Sequence, residues 1–280
     1  PNTFCNLGPG TMAACIGGGF TLAEDTVWYD TIKLVESWPD FAGFSFHPES
    51  EMWNMIIQLT DCLASHARGK YVCGVTDIGG NLDILASLRG TQDLLYDLYD
   101  YGDEVKKAIR QIDDIWVDVY HQLYDKIVAH QGGATCWMPL WYTKKWYPLQ
   151  CDFSAMLSPQ MFEEFVKPSL QREASVLDKS IYHLDGPGEI PHIDHILDID
   201  GITGIQWTAG AGNANELDPQ WFPLFKKIQD KGKNLVLLTI DPALLDDFMS
   251  TFSPNGVFMQ AYCKTEEEAD AVVKKVEKWS

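Results

Sequence analysis

Short apolar runs recur along this chain, and most of them end on turn-forming residues. Thr3–Leu7 runs into Gly8-Pro9-Gly10, and Tyr71–Ile78 into Gly79-Gly80. Ala134–Pro139 follows, then Ile181–Asp185, which meets Gly186-Pro187-Gly188. Ile202–Thr208 leads to Gly210 and Gly212, Leu235–Asp241 to Pro242, and Val257–Cys263 closes the series. Runs of this length bounded by glycine and proline read as strands. Between them the period shifts toward 3.6. Leu94, Leu95, Leu98, Ile109, Ile112, Ile115, Trp116 and Val119 mark one long or broken helix over Thr91–His130. Ser158-Pro159 supplies an N-cap and a proline at the first helical position. Pro219–Gly232 ends on a glycine, and Thr265-Glu266-Glu267-Glu268 reads as a capping box.

Strands alternating with helices imply parallel βαβ units. The expected fold is therefore α/β, a (β/α)8 TIM-type barrel in a single domain over residues 1–280, with an open doubly wound sheet as the alternative. A barrel of this kind typically takes about 250 residues. Seven runs are visible, so the eighth strand is expected within Phe20–Tyr29 or in a segment ahead of Pro1, since the chain does not begin with Met. Barrel chemistry sits at the C-terminal strand ends, which is where candidate residues are sought.

Composition narrows the function. With 46% hydrophobic and 22% charged residues, a chain of 280 builds a sizeable core. A net charge of -19 argues against nucleic acid and against a polyanionic substrate. The apolar runs are too short to span a bilayer, so no membrane partner is expected. Seven scattered cysteines, an odd number, fit a reduced, cytoplasmic setting better than a disulfide framework. A homodimer is compatible with everything read so far.

Residues i and i+2 of a strand face the same way, so His183 and Asp185 point together, toward the expected barrel mouth. Cys263 closes the last run, at the same mouth. Imidazole, carboxylate and thiolate are all zinc ligands, and three protein ligands with one open position is the catalytic arrangement. A hydrogen-bonded His–Asp pair with an unrelated buried Cys accounts for the same residues. Asp77 and Asp152 are candidate catalytic acids if burial raises a carboxyl pKa. Asn6, Gln150, Tyr182, Gln206, Trp207 and Gln260 are candidate substrate contacts. Trp141 and Tyr142 belong to an aromatic loop, with Trp137, Trp146 and Tyr147, placed where a pocket lid is expected. His192 and His195 read as a polar helical face with Asp194 and Asp198. Gly8-Pro9-Gly10-Thr11-Met12-Ala13 matches a dinucleotide-binding spacing, but Pro9 lacks the backbone N–H a phosphate would want, so it reads as a tight turn.

Cys151-Asp152-Phe153-Ser154 with Ser158-Pro159-Gln160-Met161-Phe162, then Tyr182–Gly188, then Ile205-Gln206-Trp207, resembles the uroporphyrinogen decarboxylase superfamily over nearly the whole chain. The branch it is most similar to is the cobalamin-dependent methyltransferases of the methylcobamide:coenzyme M type. Their zinc motif is His-x-Cys followed by a distant Cys at the end of the final strand. Here it is His183-x-Asp185, with Cys263 78 residues beyond Asp185. The resemblance implies transfer of a methyl group between a small methylated substrate and a corrinoid carried by a partner protein. It also implies a zinc ion on His183, Asp185 and Cys263. An oxygen ligand in place of sulfur would make that metal a harder Lewis acid. A decarboxylase handling a multiply charged porphyrinogen fits less well, because residues 1–30 hold no Lys or Arg. A metal-free lyase working through Asp77 or Asp152, and a non-catalytic small-ligand-binding barrel, are the other readings.

Overall fold

The computed structural model describes residues 1–30 and 33–279. It is a mixed α/β structure whose main feature is a parallel sheet of five strands in chain order. The strands are β5 (Trp146–Leu149), β6 (Lys179–Asp185), β7 (Ile202–Thr208), β8 (Asn234–Ile240) and β9 (Val257–Ala261). Helical segments fill every crossover, as parallel strands require. Between β5 and β6 lie α6 (Pro159–Met161), a π-helical stretch (Phe162–Val166) and α7 (Lys167–Ser175). The later crossovers carry α8 (Ile193–Leu197), α9 (Phe222–Asp230) and α10 (Leu245–Thr251), and α11 (Glu266–Glu277) follows β9. Ser158 and Thr265 act as the expected caps, accepting from the amides of Met161 and Glu268.

The N-terminal half adds a second parallel pair, β1 (Asn2–Phe4) with β4 (Val72–Gly74). Between them come α1 (Thr11–Ile16), a hairpin of β2 (Gly19–Leu22) and β3 (Val27–Asp30), and α2 (Glu51–His66). After β4 come α3 (Asn81–Arg89), α4 (Thr91–Asp100) and α5 (Gly102–Gln131), so the long helical pattern is broken at Tyr101. Two departures from the pattern follow. Phe20–Tyr29 does not hold an eighth barrel strand: its two short strands pair antiparallel with each other. Residues 134–139 form no ladder strand. Just beyond β4 the Val75 amide donates to the Thr135 carbonyl at 2.9 Å, the segment bends at Trp137 and Met138, and an antiparallel bridge joins Ala134 to Tyr142. The strand that does form nearby, β5, was hidden because Trp146, Tyr147, Pro148 and Leu149 are all buried, so no alternation marks them. Among the described residues β1 and β9 form no ladder with each other.

Strand β6 shows how the sheet divides its labour. Ser180, Tyr182 and Leu184 are buried on one face, while Ile181, His183 and Asp185 are only half buried on the other. The register pairs His183 with Gln206 and Asp185 with Thr208, so these four share the second face. On the first face Tyr182 reaches Glu189, and Trp207 packs against Trp221 with ring centroids 5.0 Å apart.

Candidate metal centre and active site

His183, Asp185 and Asp152 come together at the C-terminal ends of β5 and β6. One ligand atom from each lies within 4.8 Å of the other two. Asp185 is the last residue of β6, and Asp152 opens the 3-10 turn Asp152–Met156 just after β5. Neighbouring parallel strands therefore deliver the three side chains to one point.

The imidazole of His183 is held from behind. Its Nδ1 lies against Oε1 of Gln206, the paired residue on β7. Both amide hydrogens of Gln206 are already engaged, by the Trp207 carbonyl at 2.9 Å and by Thr208 Oγ1 at 2.7 Å. Only the oxygen of the Gln206 amide faces the ring, and an oxygen can only accept. Nδ1 must carry the proton, which leaves Nε2 with a free lone pair. A second hydrogen bond that fixes tautomer and ring orientation is the usual companion of a metal-ligating histidine. Trp137 completes the cradle, its ring edge-on to the imidazole at 5.2 Å.

Carboxylates crowd this corner. Asp77, just beyond β4, is pushed above the usual carboxylate range by burial; the Gly79 amide, 2.9 Å from its Oδ1, and the neighbouring His183 imidazole oppose the shift. Asp152 is also raised, mainly by partial burial, with His183 opposing and Asp185 adding to the rise. Asp83, in the first turn of α3, accepts from the amides of Asp152 at 3.1 Å and Phe153 at 2.7 Å. Burial and the Asp152 charge push Asp83 up to about 7. Behind the site, burial raises Glu189 to about 9, while the Tyr182 hydroxyl donates to its Oε2 at 3.1 Å. Asp152 is exposed and Asp77, Asp83 and Asp185 are half buried, and carboxyls that repel one another at such close quarters favour either protons or a cation.

One close approach fixes this geometry. A Cβ on Gly80 would lie 2.1 Å from the Gln150 carbonyl oxygen, so only glycine lets the start of α3 press against the β5 end and place Asp83 under the Asp152 loop. A second explains the Gly-Pro-Gly turn. The Tyr29 ring lies directly over Gly10, where a Cβ would be 2.3 Å from it, and the Tyr29 hydroxyl donates to the Leu7 carbonyl at 2.5 Å. The turn that matches a dinucleotide spacing is filled by this ring.

The other residues singled out from sequence fall in several places. Cys263 is not part of the three-residue group. It lines a separate, mostly apolar cavity of about 460 Å³ between β9 and α11, with Val257, Met259 and Ala261. Gln206 is buried and serves His183. Tyr182 and Trp207 face the helices, on the opposite side of the sheet from His183. Trp141 and Tyr142 sit at the far end of the sheet, where Tyr142 bridges Ala134, and Trp141 is exposed. Asn6 is exposed after β1, with its Oδ1 3.4 Å from the Gly8 amide, and Gln260 is half buried on β9. His192 is not on a polar face: it is buried, stacked on Phe162 at 4.6 Å, with Nε2 2.8 Å from the Ser154 carbonyl. Gln150 is buried and lines a second cavity of about 430 Å³, which it shares with Asp83 and Asp152. Sequence reasoning missed Asp83, Glu189 and the supporting role of Gln206. For Asp83 the one available signal was an acid in the first turn of a helix opened by Gly79-Gly80.

No family model matches the chain. No curated protein matches it either. Among solved structures the chain is similar to a methyltransferase from Methanosarcina mazei, with a TM-score of 0.63 at 12% identity, over 96% of this chain and 77% of that one. At that identity the likeness shows a shared fold. No helix among the described residues is long and apolar enough to cross a membrane.

Proposed function

We propose that this chain is a methyltransferase on a (β/α)8 barrel of the uroporphyrinogen decarboxylase superfamily, with residues 1–280 in one domain. Its reaction moves a methyl group between a small methylated substrate and a corrinoid brought by a partner protein. The observation that carries the reading is the group Asp152, His183 and Asp185, whose ligand atoms converge on one point, with Gln206 engaging Nδ1 of the imidazole. The fold shared with a methyltransferase supports it.

These donors fit a divalent cation, with zinc the first choice. One imidazole nitrogen and two carboxylates make three protein ligands and leave a position open. Two ionised carboxylates balance the ion's charge. Asp152 takes the place expected for Cys263, which lies on the α11 side of β9. When bound, the ion would supply Lewis-acid polarisation of a substrate heteroatom. The protein's own part is positional. Gln206 holds the imidazole, Asp83 holds the Asp152 backbone, and Asp77 keeps a proton above the ordinary carboxylate range, at a buried point beside His183.

Elemental analysis of the purified protein tests the reading. About one divalent ion per chain, lost in His183→Ala, followed by methyl transfer to a cobalt(I) corrinoid, is the expected result. A wild type that takes up no metal when zinc is offered refutes it. The raised pKa of Asp77 favours a second reading, a metal-free carboxy-lyase with Asp77 as the proton donor. Carbon dioxide release from a candidate acid, abolished in Asp77→Asn, would distinguish it.

A further inference from the structure

We propose that Asn81, Asp113, Ser169 and Glu173 form a pH-sensitive latch: a proton held between Glu173 and Asn81 pins α7 to the start of α3, and its loss frees α3 and the grip of Asp83 on the Asp152 loop. The proposal goes beyond the methyl-transfer reading and does not depend on it. The four side chains are buried between α3, α5 and α7. Ser169 and Glu173 are four residues apart on α7 and share a face. The Asn81 amide nitrogen donates to Asp113 and to Ser169, and the Ser169 hydroxyl donates to Asp113. Both hydrogens of that nitrogen are thereby used. Two oxygens are left over. Asn81 Oδ1 and Glu173 Oε1 have no partner, although the Glu173 side chain lies within hydrogen-bonding reach of the Asn81 amide. An ionised Glu173 offers only acceptors. A proton on its Oε1 makes it the donor that the Asn81 oxygen lacks, and one bond then satisfies both atoms. Asp113 receives the two donors and is the charged member of the pair. Glu173 has no ion-pair partner among the described residues and is the neutral one.

The surrounding charges act in the same sense. Burial raises the Glu173 carboxyl well above the ordinary range; Asp113 on α5 and Asp83 on α3 add to the rise, and the Asn81 contact opposes it. Burial pushes Asp113 up to about 6, opposed by Ser169, Arg172 and Asn81 and aided by Asp114. Tyr147 on β5 also senses the Glu173 charge. The elements that would move are built for it. Helix α7 follows the π-helical turn Phe162–Val166 and carries Pro168, both places where a helix bends. Asn81 is the first residue of α3, and two residues on Asp83 holds the amides of Asp152 and Phe153. Glu173 keeps its proton when the latch is closed and gives it up when exposed to water. Opening therefore releases a proton at any pH between the ordinary carboxylate value and the raised one. The closed state weakens as pH rises through that window.

Hydrogen exchange read by mass spectrometry from pH 7 to pH 9, corrected for the intrinsic pH dependence of exchange, tests this on peptides covering 79–89 and 151–157. In the wild type, protection of both peptides is expected to fall together, by up to about tenfold per pH unit. Glu173→Gln puts an N–H where the O–H stood, and is expected to keep the protection seen at pH 7 and to remove its fall. Asp113→Asn takes away the like charge that keeps the proton on Glu173, and is expected to reduce the total fall. Glu189→Gln, which alters a high-titrating carboxyl outside the latch, is expected to follow the wild-type profile. Protection independent of pH in the wild type, an unchanged fall in Glu173→Gln, a fall abolished by Glu189→Gln, or a fall confined to 79–89 would each overturn the proposal. Should Glu173→Gln fail to fold, an unchanged fall in Asp113→Asn overturns it equally.

Discussion

Replacing Gln206 with leucine should weaken metal binding without unfolding the protein. Leucine is close to glutamine in volume, so the buried position on β7 stays filled. The acceptor facing Nδ1 of His183 is gone, and with it the constraint that keeps the lone pair on Nε2. The ring can then adopt either tautomer and either flip, and it presents its ligating nitrogen for only part of the time. The Trp207 carbonyl and Thr208 Oγ1 also lose a donor, but both lie in a ladder that remains intact. Loss of such an orienting partner typically costs 10–100-fold in metal affinity, or about 1.4–2.7 kcal/mol. Competition between protein and a chromogenic chelator for zinc at pH 8 measures this. Gln206→Glu keeps an acceptor opposite Nδ1 and should fall closer to wild type. A zinc Kd for Gln206→Leu within twofold of wild type, in a protein that melts normally, would refute the assignment of Gln206 as the group that orients His183.

Two further predictions concern the frame around the site. Arg89 holds Asp97 through two hydrogen bonds, at 2.6 and 3.2 Å, and also caps the Val35 carbonyl at 2.7 Å, with both side chains largely buried. Asp97→Ala leaves the guanidinium unpaired and should cost about 3–5 kcal/mol, a fall in Tm of about 5–9 °C for a chain of this length. A loss under about 1 kcal/mol in urea denaturation would count against it. Glu189 titrates near 9 in the folded protein and near 4.5 in the unfolded chain. The native state therefore binds the extra proton between those values, and stability falls as pH rises through the window, by about 1.4 kcal/mol per pH unit from this group. Glu189→Gln should flatten the fall in stability from pH 5 to pH 8; an unchanged slope would mean that Glu189 does not hold its proton.

The crossovers and most strand positions were legible because they depend on local signals. Caps at Ser158 and Thr265, the glycine-ended runs and the 3.6 period of α5 are all written within a few residues. The i, i+2 rule placed His183 and Asp185 on one face from sequence alone. The missing parts depend on contacts distant in sequence. Asp152 joins His183 only because β5 pairs with β6, and β5 is buried on every side and carries Pro148, so no alternation announces it. Asp83 reaches the site through the close approach of Gly80 to Gln150, 70 residues away in sequence. Cys263 follows the end of β9 and lines the cavity under α11 with Val257, Phe258, Met259 and Ala261, a placement that depends on how α11 packs and not on any local signal.

The two faces of β6 and β7 also bear on how such a site could change its chemistry over time. The residues that anchor these strands to their helices, Tyr182, Leu184 and Trp207, are not the ones that meet the cluster. Exchanging Asp185 for another donor, or Thr208 for a bulkier neighbour, alters the half-buried face and leaves the anchoring face in place. Selection can then test new ligand sets one residue at a time on a scaffold that keeps folding, while the same freedom is denied to positions 182, 184 and 207.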